Sequence, residues 1–296
     1  MQGLILLNKP SEITSFGAVA RIKRIAKEKR VGHTGTLDPM ATGVLPIFLG
    51  RATCLSSYLL DGDKRYRATV KLGITTDSCD ITGTILKEND VTLSNDEVLY
   101  ALKKFEGEYE QTPPMFSAIK KDGVRLYELA RKGIETEIPK RRVKIYSITQ
   151  ISPLNEDNEF IIDTCVSKGT YIRSLCRDIG EFLGVGATLT GLCRTEVSGF
   201  SINDCINLDC LDENNISEHL LNEEMAISHF KEIEVTENQA RRFSNGGQLS
   251  FDRLKGEFLN DGEIFRIKCN GLFLGLGFAD TQRQQIGIKC IINKYE

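Results

Sequence analysis

Apolar residues in this chain gather in short runs whose period changes often. Gly3 to Leu7 is a continuous apolar run closed by Asn8-Lys9-Pro10, the pattern of a buried strand that ends in a turn. Thr14 or Ser15 is placed to cap a helix reaching about Lys29. Its apolar positions Phe16, Val19, Ala20, Ile22, Ile25 and Ala26 fall near helical spacing and leave the basic residues mostly on the other side. Val44 to Leu49 is short and apolar, and Ala52 to Leu60 suits a helix. Tyr66 to Leu72 alternates as a strand does, and Gly83 to Leu86 begins another. Ser94 to Phe105 reads as a helix, with Ser94 and Glu97 at capping-box spacing. Met115 to Lys120 reads as a strand running into a tight turn at Asp122-Gly123. Val143 to Ile151 and Phe160 to Val166 read as paired strands, Thr170 to Leu183 as an amphipathic helix stopped by Gly184, and Thr188 to Val197 as a further strand.

Helices inserted among hairpins predict an α+β fold rather than a regular alternation of parallel strands and helices. There is no convincing internal repeat and no low-complexity tract. The stretch from Asp204 to Glu224 holds seven acidic residues and no Lys or Arg, which marks it as the boundary between two units. From Asp252 to Lys289, short strands with turns at Asp261-Gly262 and Asn270-Gly271 predict a small barrel.

At 296 residues the chain has room for a large domain and a small one, and 41% hydrophobic content suffices for a core. No apolar run is long enough for a membrane helix, and MQGLILLNKP lacks the basic start and long apolar centre of a secretion signal. Nine cysteines are scattered with no C-x-x-C pair, which favours reduced thiols in the cytoplasm and argues against zinc. The net charge of -3 speaks against a nucleic-acid partner only until its distribution is read: residues 1–150 carry +6 and residues 151–296 carry -9. Arg21 to Arg30 holds six basic residues against Glu28 alone, and Lys140, Arg141, Arg142 and Lys144 cluster again. With Lys64, Arg65 and Arg67 these runs predict a phosphate-tracking face, because screening lets a local patch act whatever the total charge.

The densest chemistry lies in GHTGTLDPMATG, residues 32–43. Asp38 precedes a proline, which restricts its backbone, and small residues on both sides let another molecule approach. A carboxylate so held suits a nucleophile or general base; the same residues also suit a turn in which Asp38 bonds its own backbone. Neither a Walker nor a Rossmann glycine pattern occurs, so a nucleotide-binding transferase has weak support.

GHTGTLDPMATGVLP, preceded by LLNKPSEITS, resembles the tRNA pseudouridine synthase B family, bacterial enzymes that convert uridine 55 of the tRNA T arm to pseudouridine. The resemblance continues through DKRYR at 63–67, TDSCD at 76–80 and KGTYIRS at 168–174, and covers about residues 3–200. From about residue 232 the chain looks like a small RNA-binding PUA barrel, on Gly246-Gly247, Asp261-Gly262-Glu263 and Phe273-Leu274-Gly275-Leu276-Gly277. The resemblance thus implies a pseudouridine synthase catalytic domain over 1–230, with a mixed, mainly antiparallel sheet flanked by helices, and a PUA-like domain over 231–296.

It also implies roles. Asp38 is the catalytic carboxylate, acting at C1′ of the sugar, at C6 of the base, or on the C2′ proton; the residues do not choose among these routes. Arg173 is its ion-pair partner, although an isolated Arg more commonly makes a surface salt bridge. Tyr66 stacks on the extruded base or moves the C5 proton, although strand alternation alone equally places it in the core. Asp80, Tyr171 and Leu192 line the uracil pocket; taken plainly they are a turn residue, a helix-end aromatic and a core leucine. His33 invites a general-base reading, whereas the resemblance implies that it fills the space left in the RNA by flipped bases. Lys9 supports the catalytic loop or simply ends a strand. The reaction is an isomerisation, so no cofactor and no metal are implied. The expected partner is tRNA, through its T arm and, at the C-terminal domain, the acceptor stem, with the protein a monomer. An RNA-binding or RNA-folding factor without catalysis would use the same basic face.

Overall fold

The computed structural model describes residues 1–296 apart from 61, 118, 122, 135 and 257–259. The apolar run at the N-terminus becomes the strand Gly3–Lys9, and its lack of alternation has a simple cause. Ile5 and Leu7 enter one hydrophobic cluster while Leu4 and Leu6 enter another on the opposite face, so both faces are buried. Thr42–Leu49 pairs antiparallel with it along its whole length and is divided the same way, Leu45, Ile47 and Leu49 against Val44 and Phe48.

These two strands belong to a ten-stranded sheet. Its path runs Ile206–Asn207, Gly3–Lys9, Thr42–Leu49, Ala187–Val197, Lys64–Leu72, Glu159–Val166, Arg141–Ser152 and Gly107–Gln111. Val31–His33 and Phe200–Ser201 pair off this path. Ile206–Asn207 joins Gly3–Lys9 in parallel, and Cys193 and Arg194 join Thr42 and Gly43 in parallel; the other pairings in this sheet are antiparallel. The mixed, mainly antiparallel sheet expected from the sequence is therefore present.

Three helices cover one face. Ser15–Ile25 is capped by Thr14, Asn95–Phe105 by the Ser94–Glu97 capping box, and Ile172–Phe182 follows Tyr171. They bury Ile22, Leu102 and Ile179 against Leu7, Ile47, Val70 and Ile162. Each such fully buried side chain contributes about 1.5–3 kcal/mol.

The opposite face of Gly3–Lys9 and Thr42–Leu49 packs on a second sheet of five strands, ordered Lys231–Glu234, Ile264–Cys269, Leu272–Asp280, Gln285–Ile291 and Leu249–Ser250. Phe273, Leu276 and Ile292 close over Leu4, Leu6 and Phe48. The helix Glu237–Ser244 buries Ala240 and Phe243 in this half-barrel. Asn270 and Gly271, both at positive φ, make its two-residue hairpin turn.

The differences from the expected elements are local. The first helix stops at Ile25, where Ala26 caps it and Lys27 takes φ 50°, instead of reaching Lys29. Residues 31–33 form a strand on the edge of Thr42–Leu49 rather than a loop. The helix expected from Ala52 begins as a 3-10 turn, Gly50–Leu55, before Ser56–Leu60. The edge strand Gly107–Gln111 was not expected, because GEYEQ is too polar to signal burial. Residues 115–117 are bends; the short pair Lys120–Lys121 with Val124–Arg125 follows, and Asp122 lies outside the described residues. The acid-rich stretch is not a plain linker: Ile206–Asn207 belongs to the large sheet, Asp209 pairs with Arg21 at 2.9 Å, and Glu213 pairs with Lys27 at 2.5 Å. Part of the basic run is thus neutralised within the chain, by exposed pairs that contribute at most about 1 kcal/mol each.

Candidate active site

The loop bearing Asp38 is pinned from several directions. Gly43 sits at φ +105°, and a Cβ there would lie 2.2 Å from the carbonyl oxygen of Arg194, so only glycine permits the parallel contact with Ala187–Val197. Ser15, buried at the start of the first helix, accepts from the N–H of Leu37 at 2.8 Å and donates to its carbonyl at 3.0 Å. The Ala41 N–H donates to the Asp38 carbonyl at 3.1 Å and closes the turn. Lys9 is fully buried and its Nζ donates to the carbonyls of Pro10, Ile13 and Pro39 at 2.7, 2.7 and 3.3 Å. Burial lowers its pKa to about 8, so at neutral pH it is an ammonium whose three N–H groups meet three acceptors. Lys9 therefore fastens the strand end to the Asp38 loop.

Arg173 comes from the first turn of Ile172–Phe182, 135 residues away in sequence. Its Nε lies 2.9 Å from Asp38 Oδ2 and its Nη2 donates to Oδ1 at 3.2 Å, a side-on, two-pronged pair. Nη2 also donates to the Phe116 carbonyl at 2.9 Å. Nη1 donates to the Ser78 carbonyl at 3.2 Å and to Asp80 Oδ2 at 3.4 Å. Asp80 is buried, and its Oδ1 accepts from Ser78 Oγ, the Thr82 N–H and Thr82 Oγ1. The guanidinium thus bridges two carboxylates from opposite sides of the site.

The start of this helix is set by a residue that sequence reasoning missed. Gln111 is wholly buried, accepts from the Tyr171 N–H at 2.8 Å and donates to the Tyr171 carbonyl at 3.1 Å. Tyr171 has no side-chain cap, so this amide acts as a two-point backbone clamp at the residue before the helix.

Asp38, Tyr66, Tyr171, Arg173 and Leu192 share the wall of one cavity of about 320 Å³. The Asp38 side chain is 34% exposed and opens onto it, whereas that of Arg173 is 6% exposed. Burial raises the Asp38 pKa above the ordinary carboxylate value; Arg173 and Lys9 oppose this, and the Asp80 charge adds to it. Three of the residues expected at the site lie outside this wall. Asp80 stands behind Arg173, Lys9 lies under the loop, and His33 is on the strand Val31–His33, its Nδ1 buried without a hydrogen-bond partner. Burial and the Arg194 charge hold the His33 pKa below its usual value, which keeps the ring neutral. Lys64 and Arg194 line the wall although sequence reasoning gave neither a place there. Among the described residues no group of His, Cys, Asp and Glu is arranged to hold a metal, and no helix is long and apolar enough to cross a membrane.

A mixed, mainly antiparallel sheet flanked by helices, with a five-stranded half-barrel packed behind it, is the fold of a pseudouridine synthase. Two solved structures share it over 99% of this chain: an archaeal box H/ACA Nop10–Cbf5 complex (TM-score 0.74, 26% identity, 87% of that chain covered) and a Cbf5–Nop10–Gar1 complex (0.72, 28%, 84%). The family model for the N-terminal domain of TruB family pseudouridylate synthases matches residues 23–172, and that for the tRNA pseudouridylate synthase B C-terminal domain matches 173–232. Similar curated proteins, each called tRNA pseudouridine synthase B, include those of Clostridium perfringens (45% identical, 95% of this chain, 96% of theirs) and Bacillus pumilus (42%, 97%, 96%). The chain belongs to the TruB family of tRNA pseudouridine synthases.

Proposed function

We propose that this protein isomerises uridine 55 in the T loop of tRNA to pseudouridine, with Asp38 as the nucleophile or base acting on an everted uridine. The observation that carries the reading is the side-on Asp38–Arg173 pair at a cavity walled by Tyr66, Tyr171 and Leu192. The reaction breaks C1′–N1, turns the base, joins C1′ to C5, moves a proton off C5 and places one on N1. Substrate and product are isomers, so the chain's own side chains suffice. Arg173 keeps the Asp38 carboxylate ionised and aimed, Tyr66 stacks against the base and sits where the C5 proton leaves, and Tyr171 and Leu192 form the walls. Asp80 and Lys9 act from behind, as braces of Arg173 and of the loop. His33, on the rim strand, fills the gap left in the T loop by the flipped base. Residues 1–230 form the catalytic domain and 231–296 a PUA-like RNA-binding domain that meets the acceptor stem. The protein works in the cytoplasm as a monomer.

Incubating unmodified tRNA with the protein and mapping pseudouridine by carbodiimide modification and primer extension is expected to give a single stop one nucleotide 3′ of position 55, the stop that marks pseudouridine at 55. A stop elsewhere, or none, overturns the assignment.

The reading also sets a pH dependence. Burial raises the Asp38 pKa, and only the ionised form is active, so kcat/KM falls as pH drops through that raised value. The acid limb is expected at a pH above the usual carboxylate pKa of about 4. A rate still flat at about pH 4 would sink this assignment of Asp38.

A further inference from the structure

Arg194 is among the largest fully buried side chains, 1% exposed, and among the described residues no carboxylate oxygen lies within ion-pair distance of it. Its Nε donates to the Val44 carbonyl at 2.8 Å and its Nη2 to the Gly35 carbonyl at 2.9 Å. Carbonyl oxygens satisfy N–H groups but do not neutralise a charge. Among the described residues Nη1 has no hydrogen-bond partner; it lies 3.1 Å from where a Cβ on Gly35 would stand, and Gly35 and Arg194 both line the cavity. The charge count agrees. Lys9, Arg173 and Arg194 bring three buried cations to this site, against the two carboxylates of Asp38 and Asp80. Arg173 is shared by both acids, and Lys9 lies close enough to Asp38 to influence its ionisation, which leaves Arg194 as the uncompensated charge.

We propose that Arg194 Nη1 is a receptor for a phosphodiester oxygen flanking the everted uridine, entering beside Gly35 and Lys64. This rests on the isomerase reading for the identity of the RNA, but the site itself is a statement about an anion. The bound phosphate brings the buried charges into balance, so the cavity is electrostatically complete only when RNA is in it. Recognition of the sugar-phosphate chain at this point carries no base information. It fixes where C1′ stands relative to Asp38.

The test is a coupling measurement. T-arm stem-loops are made with one uncharged methylphosphonate on the 5′ or the 3′ side of the target uridine, and their dissociation constants and tritium-release rates are compared with unmodified RNA. With the native protein, one of the two substitutions is expected to weaken binding about tenfold or more. With Arg194→Gln the same substitution is expected to cost less than about threefold, and Arg194→Lys is expected to retain part of the sensitivity. Should Arg194→Gln fail to fold, Arg194→Lys completes the comparison. Equal sensitivity in native and variant proteins, or no sensitivity to either linkage in the native protein, overturns the proposal. Coupled binding with no tritium release leaves the phosphate site standing and removes the isomerase reading instead.

Discussion

Replacing Asp38 with Asn is expected to lower the rate of uridine isomerisation by about 10⁴-fold or more while the fold and tRNA affinity persist. Asparagine keeps the shape and one acceptor for Arg173, but it cannot act as a nucleophile or a base. The stability side follows from the direction of its pKa shift. A carboxyl whose folded-state pKa is raised favours the fold while protonated and loses that contribution as pH rises through the raised value. At neutral pH the ionised Asp38 therefore works against folding, and the Asn variant is expected to melt no lower than the native protein. Tritium release from 5-labelled tRNA measures the first effect and calorimetry the second. Turnover within about tenfold of native would take Asp38 out of the chemistry; a clear drop in melting temperature would show that the charge holds the loop together.

The second large effect is expected at Arg173. Arg173→Met leaves Asp80 buried and Asp38 partly buried without their shared cation, and opens the Ser78 and Phe116 carbonyls. Losing one partner of such a buried set costs about 3–5 kcal/mol, read as a lowered melting temperature together with loss of activity. Arg173→Lys discriminates charge from geometry. An ammonium restores the charge but cannot span Asp38, Asp80 and two carbonyls at once, so stability is expected to recover in part while activity stays low. Full activity in the lysine variant would mean that the planar fork is dispensable.

How much of this was readable from the chain depends on the distance over which each signal acts. The capping box at Ser94, the hairpin of Val143 to Val166 and the Asn270-Gly271 turn are local, and they are where the pattern put them. Gly107–Gln111 escaped because a polar edge strand shows no burial period, and with it went the Gln111 clamp. Arg194 lies in a strand that was recognised, yet no pattern says that its guanidinium turns inward onto Val44 and Gly35. The Asp38–Arg173 pairing spans 135 residues, and only the family resemblance suggested it. Position of the acid-rich stretch was legible; its return to the edge of the large sheet was not, because that depends on Gly3–Lys9 offering a free parallel edge.

The strands Gly3–Lys9 and Thr42–Leu49 lead directly into Lys9 and into the Asp38 loop, and their reverse faces are roofed by Phe273, Leu276 and Ile292. A protease cut near residue 230 would accordingly not liberate a self-sufficient enzyme. It would strip the hydrophobic ceiling from the very ribbons that aim the carboxylate, and the severed piece would be sticky and loose at its most sensitive point. In this molecule the C-terminal half-barrel, expected from the sequence as an RNA-binding unit, is also part of the footing on which those strands rest.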